Sequence, residues 1–98
     1  DTFPPARPAG LIAVGDERTI SLVWATSPEE DLGGYLILRG RASDETLQRL
    51  IQVPILETTY LDTTVDAGVR YVYAIVAVDT ATPPNESAPS ERVEELAR

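Results

Sequence analysis

Residues 69–78 read Val-Arg-Tyr-Val-Tyr-Ala-Ile-Val-Ala-Val, the longest run of strand-forming residues in the chain. β-Branched and aromatic side chains favour extended backbone, and no glycine or proline interrupts the run. Successive side chains of a strand point to opposite faces. We therefore predict a strand with two apolar faces, one carrying Tyr71, Tyr73, Ile75 and Ala77 and the other Val72, Ala74, Val76 and Val78.

Shorter apolar segments, separated by turn-forming residues, lie on both sides of this strand, and none is long enough at helical period to indicate a helical bundle. The predicted strands cover residues 10–14, 19–25, 35–39, 47–53, 58–62, 69–78 and 87–95, with a short helix as the alternative at 47–53. Seven short strands at this spacing predict an all-β fold, an immunoglobulin-like antiparallel β-sandwich of seven strands.

The first eight residues contain three prolines, which exclude a helix or a central strand there. We expect residues 1–8 to form a stiff, extended, proline-rich linker and residues 9–98 to form the domain. A chain of 98 residues has room for one hydrophobic core.

The composition argues against several classes of function. The net charge of −8 would repel both the phosphates of nucleic acids and an anionic membrane surface. The apolar runs are much shorter than the roughly 20 residues that span a bilayer. Histidine and cysteine are absent, which removes the commonest general base, thiolate nucleophiles and most zinc ligands. We therefore predict no enzymatic activity, no catalytic residue, no cofactor and no metal centre, and we expect no nucleic-acid partner and no membrane insertion.

A weak calcium site stays open as an alternative. Glu29, Glu30 and Asp31 lie before the third strand, Asp79 and Glu86 flank the loop before the last strand, and in such a sandwich these loops gather at one end together with Glu57. Carboxylates on flexible loops can bind calcium, but their spacing here follows no regular calcium motif. The other interpretation is a solvated acidic end.

Several fragments, taken in order, resemble the fibronectin type III family in its bacterial form. They are residues 20–24 (Ile-Ser-Leu-Val-Trp), 31–37 (Asp-Leu-Gly-Gly-Tyr-Leu-Ile), 59–63 (Thr-Tyr-Leu-Asp-Thr), 65–71 (Val-Asp-Ala-Gly-Val-Arg-Tyr) and 85–90 (Asn-Glu-Ser-Ala-Pro-Ser). The resemblance spans residues 4–94. It implies that Trp24 fills the core and that the Tyr71 hydroxyl is hydrogen-bonded to the backbone of the preceding turn.

The large aromatic residues are assigned to the core. Trp24, Tyr35, Tyr71 and Tyr73 all fall on inward positions of their strands. Phe3 and Tyr60 remain, and two aromatics so far apart in sequence are too few for a flat platform that binds a glycan.

The outward positions of two neighbouring strands are unusually apolar. Leu36 and Leu38 in the third strand, with Val72, Ala74, Val76 and Val78 in the sixth, would line one outer surface. Exposed sheet faces normally carry polar residues, so we predict an interface there, for an adjacent domain, a second copy or a protein partner. Alternatively, these residues are present because they favour strands, and long flanking side chains screen them.

The resulting functional hypothesis is a non-catalytic spacer or interaction module of a larger, exported bacterial protein. Such modules, the resemblance implies, accompany polysaccharide-degrading enzymes or surface lipoproteins, outside the cell or in its envelope. The alternative hypothesis is a recognition module that binds a separate protein, or less favourably a glycan, through its loops or its sheet face.

Overall fold

The computed structural model describes residues 4–44 and 46–98. Within these residues the chain forms seven β-strands and no helix. Their bounds are β1 Ile12–Asp16, β2 Thr19–Val23, β3 Leu32–Arg41, β4 Gln48–Arg49, β5 Thr59–Asp62, β6 Arg70–Asp79 and β7 Val93–Leu96.

The strands form two antiparallel sheets packed face to face. One sheet has the order β1-β2-β5 and the other the order β4-β3-β6-β7. This arrangement confirms the predicted all-β sandwich of seven strands.

Two strands are much shorter than predicted. Only Gln48–Arg49 forms β4, because the chain beyond it follows the edge of β3 irregularly. Leu50 N–H donates to Ile37 O at 2.7 Å, and Tyr35 and Ile55 exchange backbone hydrogen bonds at 2.7 and 3.0 Å. Pro54, which has no N–H, lies between these contacts and interrupts a regular ladder. The short helix considered for residues 47–53 does not form.

The last strand starts later than residue 87. Residues 85–90 run beside β6, but only Val93–Leu96 pairs with it as a regular strand. Pro89 has no donor for a ladder, so Ser87 and Ser90 hold this segment through isolated contacts.

Strand β3 contains a bulge between Leu32 and Gly34. Gly34 has φ +141°, and a Cβ there would lie 2.8 Å from Pro54 Cβ and 2.9 Å from Ile55 O. Glycine is therefore required both for the backbone conformation and for the close approach of residues 54–55.

The core lies between the two sheets. It is built from the inward side chains of β2, β3 and β6, together with residues of the adjoining loops and the end of the chain. The buried members are Ile20, Leu22, Trp24, Tyr35, Ile37, Val65, Tyr71, Tyr73, Ile75, Ala77 and Ala97.

Residues 4–8 lie against the domain. Pro5 and Pro8 are buried, and Ala6 N–H donates to Glu29 Oε1 at 2.9 Å. The division into a linker of residues 1–8 and a domain of residues 9–98 stays a prediction. Phe3 lies outside the described residues.

Candidate interaction surfaces

The four aromatic residues assigned to the core are each at most 3% exposed. The rings of Trp24 and Tyr35 meet edge to face, with centroids 5.5 Å apart. Tyr35 Oη accepts a hydrogen bond from Ser27 N–H at 2.7 Å, and Tyr71 Oη accepts one from Asp66 N–H at 2.8 Å. The second contact is the hydroxyl-to-turn bond that the family resemblance implies for Tyr71.

A buried polar cluster between the sheets was missed by the sequence analysis. Asp62, only 1% exposed, accepts hydrogen bonds at Oδ2 from Tyr73 Oη at 2.7 Å and from Arg39 Nη1 at 3.0 Å. Its Oδ1 accepts from Thr64 N–H at 3.0 Å and from Thr64 Oγ1 at 2.7 Å. Arg39 also lies over the ring of Tyr71, with Cζ 5.3 Å from the centroid. One signal was available, since Arg39 falls on the inward face of β3 and a buried cation needs a carboxylate.

The hydrogen bonds keep the Asp62 carboxylate ionised. Burial is the largest single influence and favours the neutral acid, but the bonds from Thr64, Tyr73 and Arg39 together outweigh it and lower the pKa of Asp62. Burial and the neighbouring Asp62 carboxylate raise the pKa of Tyr73. Both oxygens of Asp62 are occupied by two donors each, so this carboxylate stabilises the sandwich and has no lone pair free to act as a base.

The interface predicted on the outer side of β3 and β6, in the four-stranded sheet, is not an exposed surface. Leu36, Val76 and Val78 do lie on the outer side of β3 and β6, in a cluster separate from the main core, but they are only 3–5% exposed. Ala74 is buried as well, while Leu38 and Val72 are half-buried. These six side chains do line one outer surface, but little of it is exposed, and the interface at Leu36, Leu38, Val72, Val76 and Val78 stays a prediction.

The chain itself covers this face. Ile51, in the irregular segment after β4, packs against the Leu36 cluster. Arg49 in β4 forms an ion pair with Glu86, which lies beside Val78 beyond the far edge of β6. The two side chains thus meet across β3 and β6. This is the screening by long flanking side chains that was the alternative interpretation.

An exposed apolar surface does exist, on the three-stranded sheet. Ile12 and Val14 of β1, Val23 of β2 and Leu61 of β5 are 42–56% exposed. The strand registers place Ile12, Val23 and Thr59 in one row and Val14, Ser21 and Leu61 in the next. We call these six residues the outer β1-β2-β5 face.

None of the six residues of the outer β1-β2-β5 face is charged, and charged residues of both signs lie at its edges. Glu57 lines a shallow hollow together with Val14, Val23 and Leu61. Asp16, Glu17 and Arg18 occupy the hairpin beyond the Val14 row, and all three are exposed. The sequence held a signal for this face, because Ile20, Leu22 and Trp24 point inward and Val23 must then point outward. Periodicity cannot show which of two apolar outer faces is covered.

At the acidic end of the sandwich, Asp79 and Glu86 are paired with other residues of the chain. Asp79 accepts hydrogen bonds from the side chain and backbone N–H of Asn85 at 2.8 Å each and from Ala81 N–H at 3.1 Å, which lower the pKa of Asp79. Glu86 is paired with Arg49. Among residues 4–44 and 46–98, no three carboxylates come close enough together to hold a metal ion.

No helix long and apolar enough to cross a membrane occurs among these described residues.

Comparison with known proteins supports the fold and places it in a bacterial context. No protein-family model matches the chain. An Fn3-like protein from Clostridium thermocellum superposes with a TM-score of 0.81 at 30% identity, over 98% of this chain and 96% of that one. The FN1–FN3 domains of chicken CNTN1 superpose with a TM-score of 0.82 at 23% identity, over 97% of this chain and 33% of that one.

A curated relative extends the comparison to a longer protein. An amylopullulanase from Thermoanaerobacterium saccharolyticum is 32% identical over 79 residues, which are 81% of this chain and 6% of the amylopullulanase. The near-complete match to the Clostridium protein, together with the buried tryptophan and the Tyr71 hydroxyl bond, leads to one conclusion. The chain belongs to the fibronectin type III family.

Proposed function

We propose that this domain is a non-catalytic spacer module of a larger, exported bacterial protein, in which it contacts an adjoining domain. The observation that carries the proposal is the position of the two ends of the domain. Ala9 O accepts a hydrogen bond from Ala25 N–H just beyond the end of β2, whereas Arg98 exchanges backbone hydrogen bonds with Asp16 and Arg18 beside its start. A polypeptide would enter at one end of the sandwich and leave at the other.

This arrangement suits a module that separates its neighbours. The described fold measures 43 Å along its longest axis and 24 and 20 Å across. Because entry and exit lie at opposite ends, the module holds flanking domains apart by a substantial part of the long dimension. A flexible chain of similar length would not fix that separation.

Two further observations favour a role without chemistry. Both oxygens of the buried Asp62 carboxylate accept hydrogen bonds, from Thr64, Tyr73 and Arg39. The chain contains no histidine to activate a nucleophile and no cysteine to act as one. The matched region of the amylopullulanase is 6% of that protein, as expected for an accessory module.

The similarity to the same relative supports the proposed location outside the cell. A polysaccharide outside the cell does not cross a membrane as a polymer, so an enzyme that degrades such a polymer has to be exported. A module of such an enzyme, or of a surface lipoprotein, would be exported with it.

The test is small-angle X-ray scattering of the parent polypeptide in three forms: intact, with the module deleted, and with the module replaced by a Gly/Ser linker of 98 residues. Deletion is expected to shorten the maximum dimension by roughly the long axis of the module. The linker form should give a broad distribution of distances between the flanking domains. An unchanged distance distribution in the deletion would contradict the spacer role.

A further inference from the structure

We propose that the outer β1-β2-β5 face docks an adjoining domain of the same polypeptide through an uncharged, aliphatic surface of that domain. The proposal rests on the spacer function, because it requires neighbours on the same chain. It names the surface of contact, which differs from the one the sequence indicated.

The outer faces of the two sheets differ in solvent exposure. On the four-stranded sheet, the apolar residues around Leu36 are covered by Ile51 and by the Arg49–Glu86 ion pair. On the three-stranded sheet, Val14 and Leu61 stay more than half exposed. An uncovered aliphatic sheet face, two rows deep and three strands wide, is the kind of surface that another apolar surface covers.

The charge of the chain disfavours a second copy as the occupant. Each copy carries a net charge of −8. Face-to-face association would also bring the edge residues of both copies together, where the carboxylates of Asp16, Glu17 and Glu57 outnumber the two cations Arg18 and Arg98, and like charges at close range repel.

The size of the face disfavours a freely diffusing protein. The face has six residues, of which four are aliphatic, whereas a stable complex of separate proteins uses about 20–30 residues on each side. A covalently tethered domain needs less contact area, because its effective concentration reaches about the millimolar range. Interfaces between domains of one chain are accordingly small.

A glycan is a poor occupant for this surface. None of the six residues is aromatic, so sugar rings have no flat π-surface on which to stack. A tethered protein domain is therefore the occupant that the charge, the area and the chemistry of the face all favour.

Methyl NMR with a soluble paramagnetic agent tests the proposal directly. The relaxation enhancement that the agent causes at the methyl groups of Ile12, Val14 and Leu61 should be at least twofold smaller in the parent polypeptide than in the isolated 98-residue chain. The reason is that the adjoining domain excludes the agent. Val53 is 74% exposed and lies outside the face, so its methyl groups serve as the control. The relaxation enhancement caused by the agent should be equal there in both proteins.

A pair of substitutions adds a second readout. Leu61→Glu should restore rapid paramagnetic relaxation at Ile12 and Val14 in the parent polypeptide, because a buried, unpaired carboxylate opposes docking. Val53→Glu should leave the protection unchanged. Circular dichroism of the isolated variants checks that each one folds.

Two results would overturn the docking proposal. One is full access of the agent to all three methyls in the parent polypeptide. The other is protection in the isolated chain that rises with its concentration, which would identify a second copy as the occupant. Either result leaves the spacer role intact if deletion of the module still shortens the scattering dimension, so failures of the two proposals can be told apart.

Discussion

The contacts of Asp62 show how one buried charge is accommodated between two sheets. Its two oxygens take four hydrogen bonds, from Thr64, Tyr73 and Arg39, and each bond compensates part of the cost of removing the carboxylate from water. Arg39 keeps 25% of its side chain exposed, so its own desolvation is incomplete. The cluster joins β5 of one sheet to β3 and β6 of the other.

Replacing Asp62 by asparagine should destabilise the domain by about 3 kcal/mol at pH 7, because Arg39 loses its counter-charge and the amide turns a donor toward existing donors. Urea unfolding measures the change. The control is Asp66→Asn, which removes an ion pair with Arg41 whose side chains are 57–70% exposed. It should cost less than about 0.5 kcal/mol, and equal effects of the two substitutions would contradict this account.

The same carboxylate makes stability depend on pH in a defined direction. The pKa of Asp62 is lower in the folded state than its unfolded value of about 3.9. Its contribution is therefore present above about pH 4 and is lost as the pH falls through the folded pKa. The stability difference between the wild-type chain and Asp62→Asn should shrink as the pH is lowered from 5 toward about 2, and a difference that stays constant would exclude this linkage.

Substitutions at two glycines distinguish the cost of backbone strain from the cost of steric overlap. Gly68 has φ +82°, and a Cβ there would meet nothing within 4 Å. Gly68→Ala should cost about 1 kcal/mol from backbone conformation alone. Gly34→Ala should cost about 1–3 kcal/mol more, because its Cβ would overlap Pro54 and Ile55 O. Chemical denaturation of both variants compares them, and equal costs would show that the bulge relaxes freely.

Among the strands, residues 85–90 lie beside β6 without forming a regular strand, and Ser87 and Ser90 make the contacts that a strand would make. Ala77 N–H donates to Ser87 Oγ and Ile75 N–H donates to Ser90 Oγ, both at 2.9 Å. In return, Ser87 N–H and Ser90 N–H donate to the carbonyl oxygens of the same two residues at 2.8 Å. The backbone N–H and C=O groups of Ile75 and Ala77 at the edge of β6 are thereby hydrogen-bonded, even though Pro89 prevents a regular ladder.

Ser90→Ala should destabilise the domain by about 1–3 kcal/mol, because the buried Ile75 N–H loses its acceptor. Thermal unfolding followed by circular dichroism gives the cost, and amide hydrogen exchange at Ile75 should accelerate. Ser21→Ala, at an exposed position, should change stability by less than about 0.5 kcal/mol. Unchanged exchange at Ile75 would show that water replaces the hydroxyl.

At the scale of the whole molecule, charge and packing act in opposite directions. The net charge of −8 makes the surface carboxylates repel one another in the compact state. The Arg39–Asp62 pair is mostly shielded from solvent, so salt weakens it less than it weakens repulsion between surface carboxylates.

The melting temperature should therefore rise when NaCl is increased from 10 to about 300 mM, because screening reduces surface repulsion. Differential scanning calorimetry measures the shift. Glu30→Lys, at an exposed position, changes the net charge from −8 to about −6 and should reduce the dependence on salt. A melting temperature that falls with salt would mean that attractive ion pairs dominate the surface.

The sequence alone predicted the sandwich, because residues 69–78 form an uninterrupted β-branched and aromatic run and turn residues separate the other short apolar segments. It also placed Trp24, Tyr35, Tyr71 and Tyr73 inward, since strand geometry alone decides alternation. It could not show that Asp62 meets Arg39, because the two lie on different sheets and only packing joins them.

Which outer face is open was decided by the tertiary structure alone. Strand alternation is compatible with an apolar outer surface at Leu36 and Val76 and with another at Val14 and Val23, and only the first was predicted. Coverage depends on where the irregular chain after β4 runs and on Arg49 reaching Glu86 across two strands. Such long-range contacts leave no period in the sequence, because they join segments whose local conformations are independent of each other.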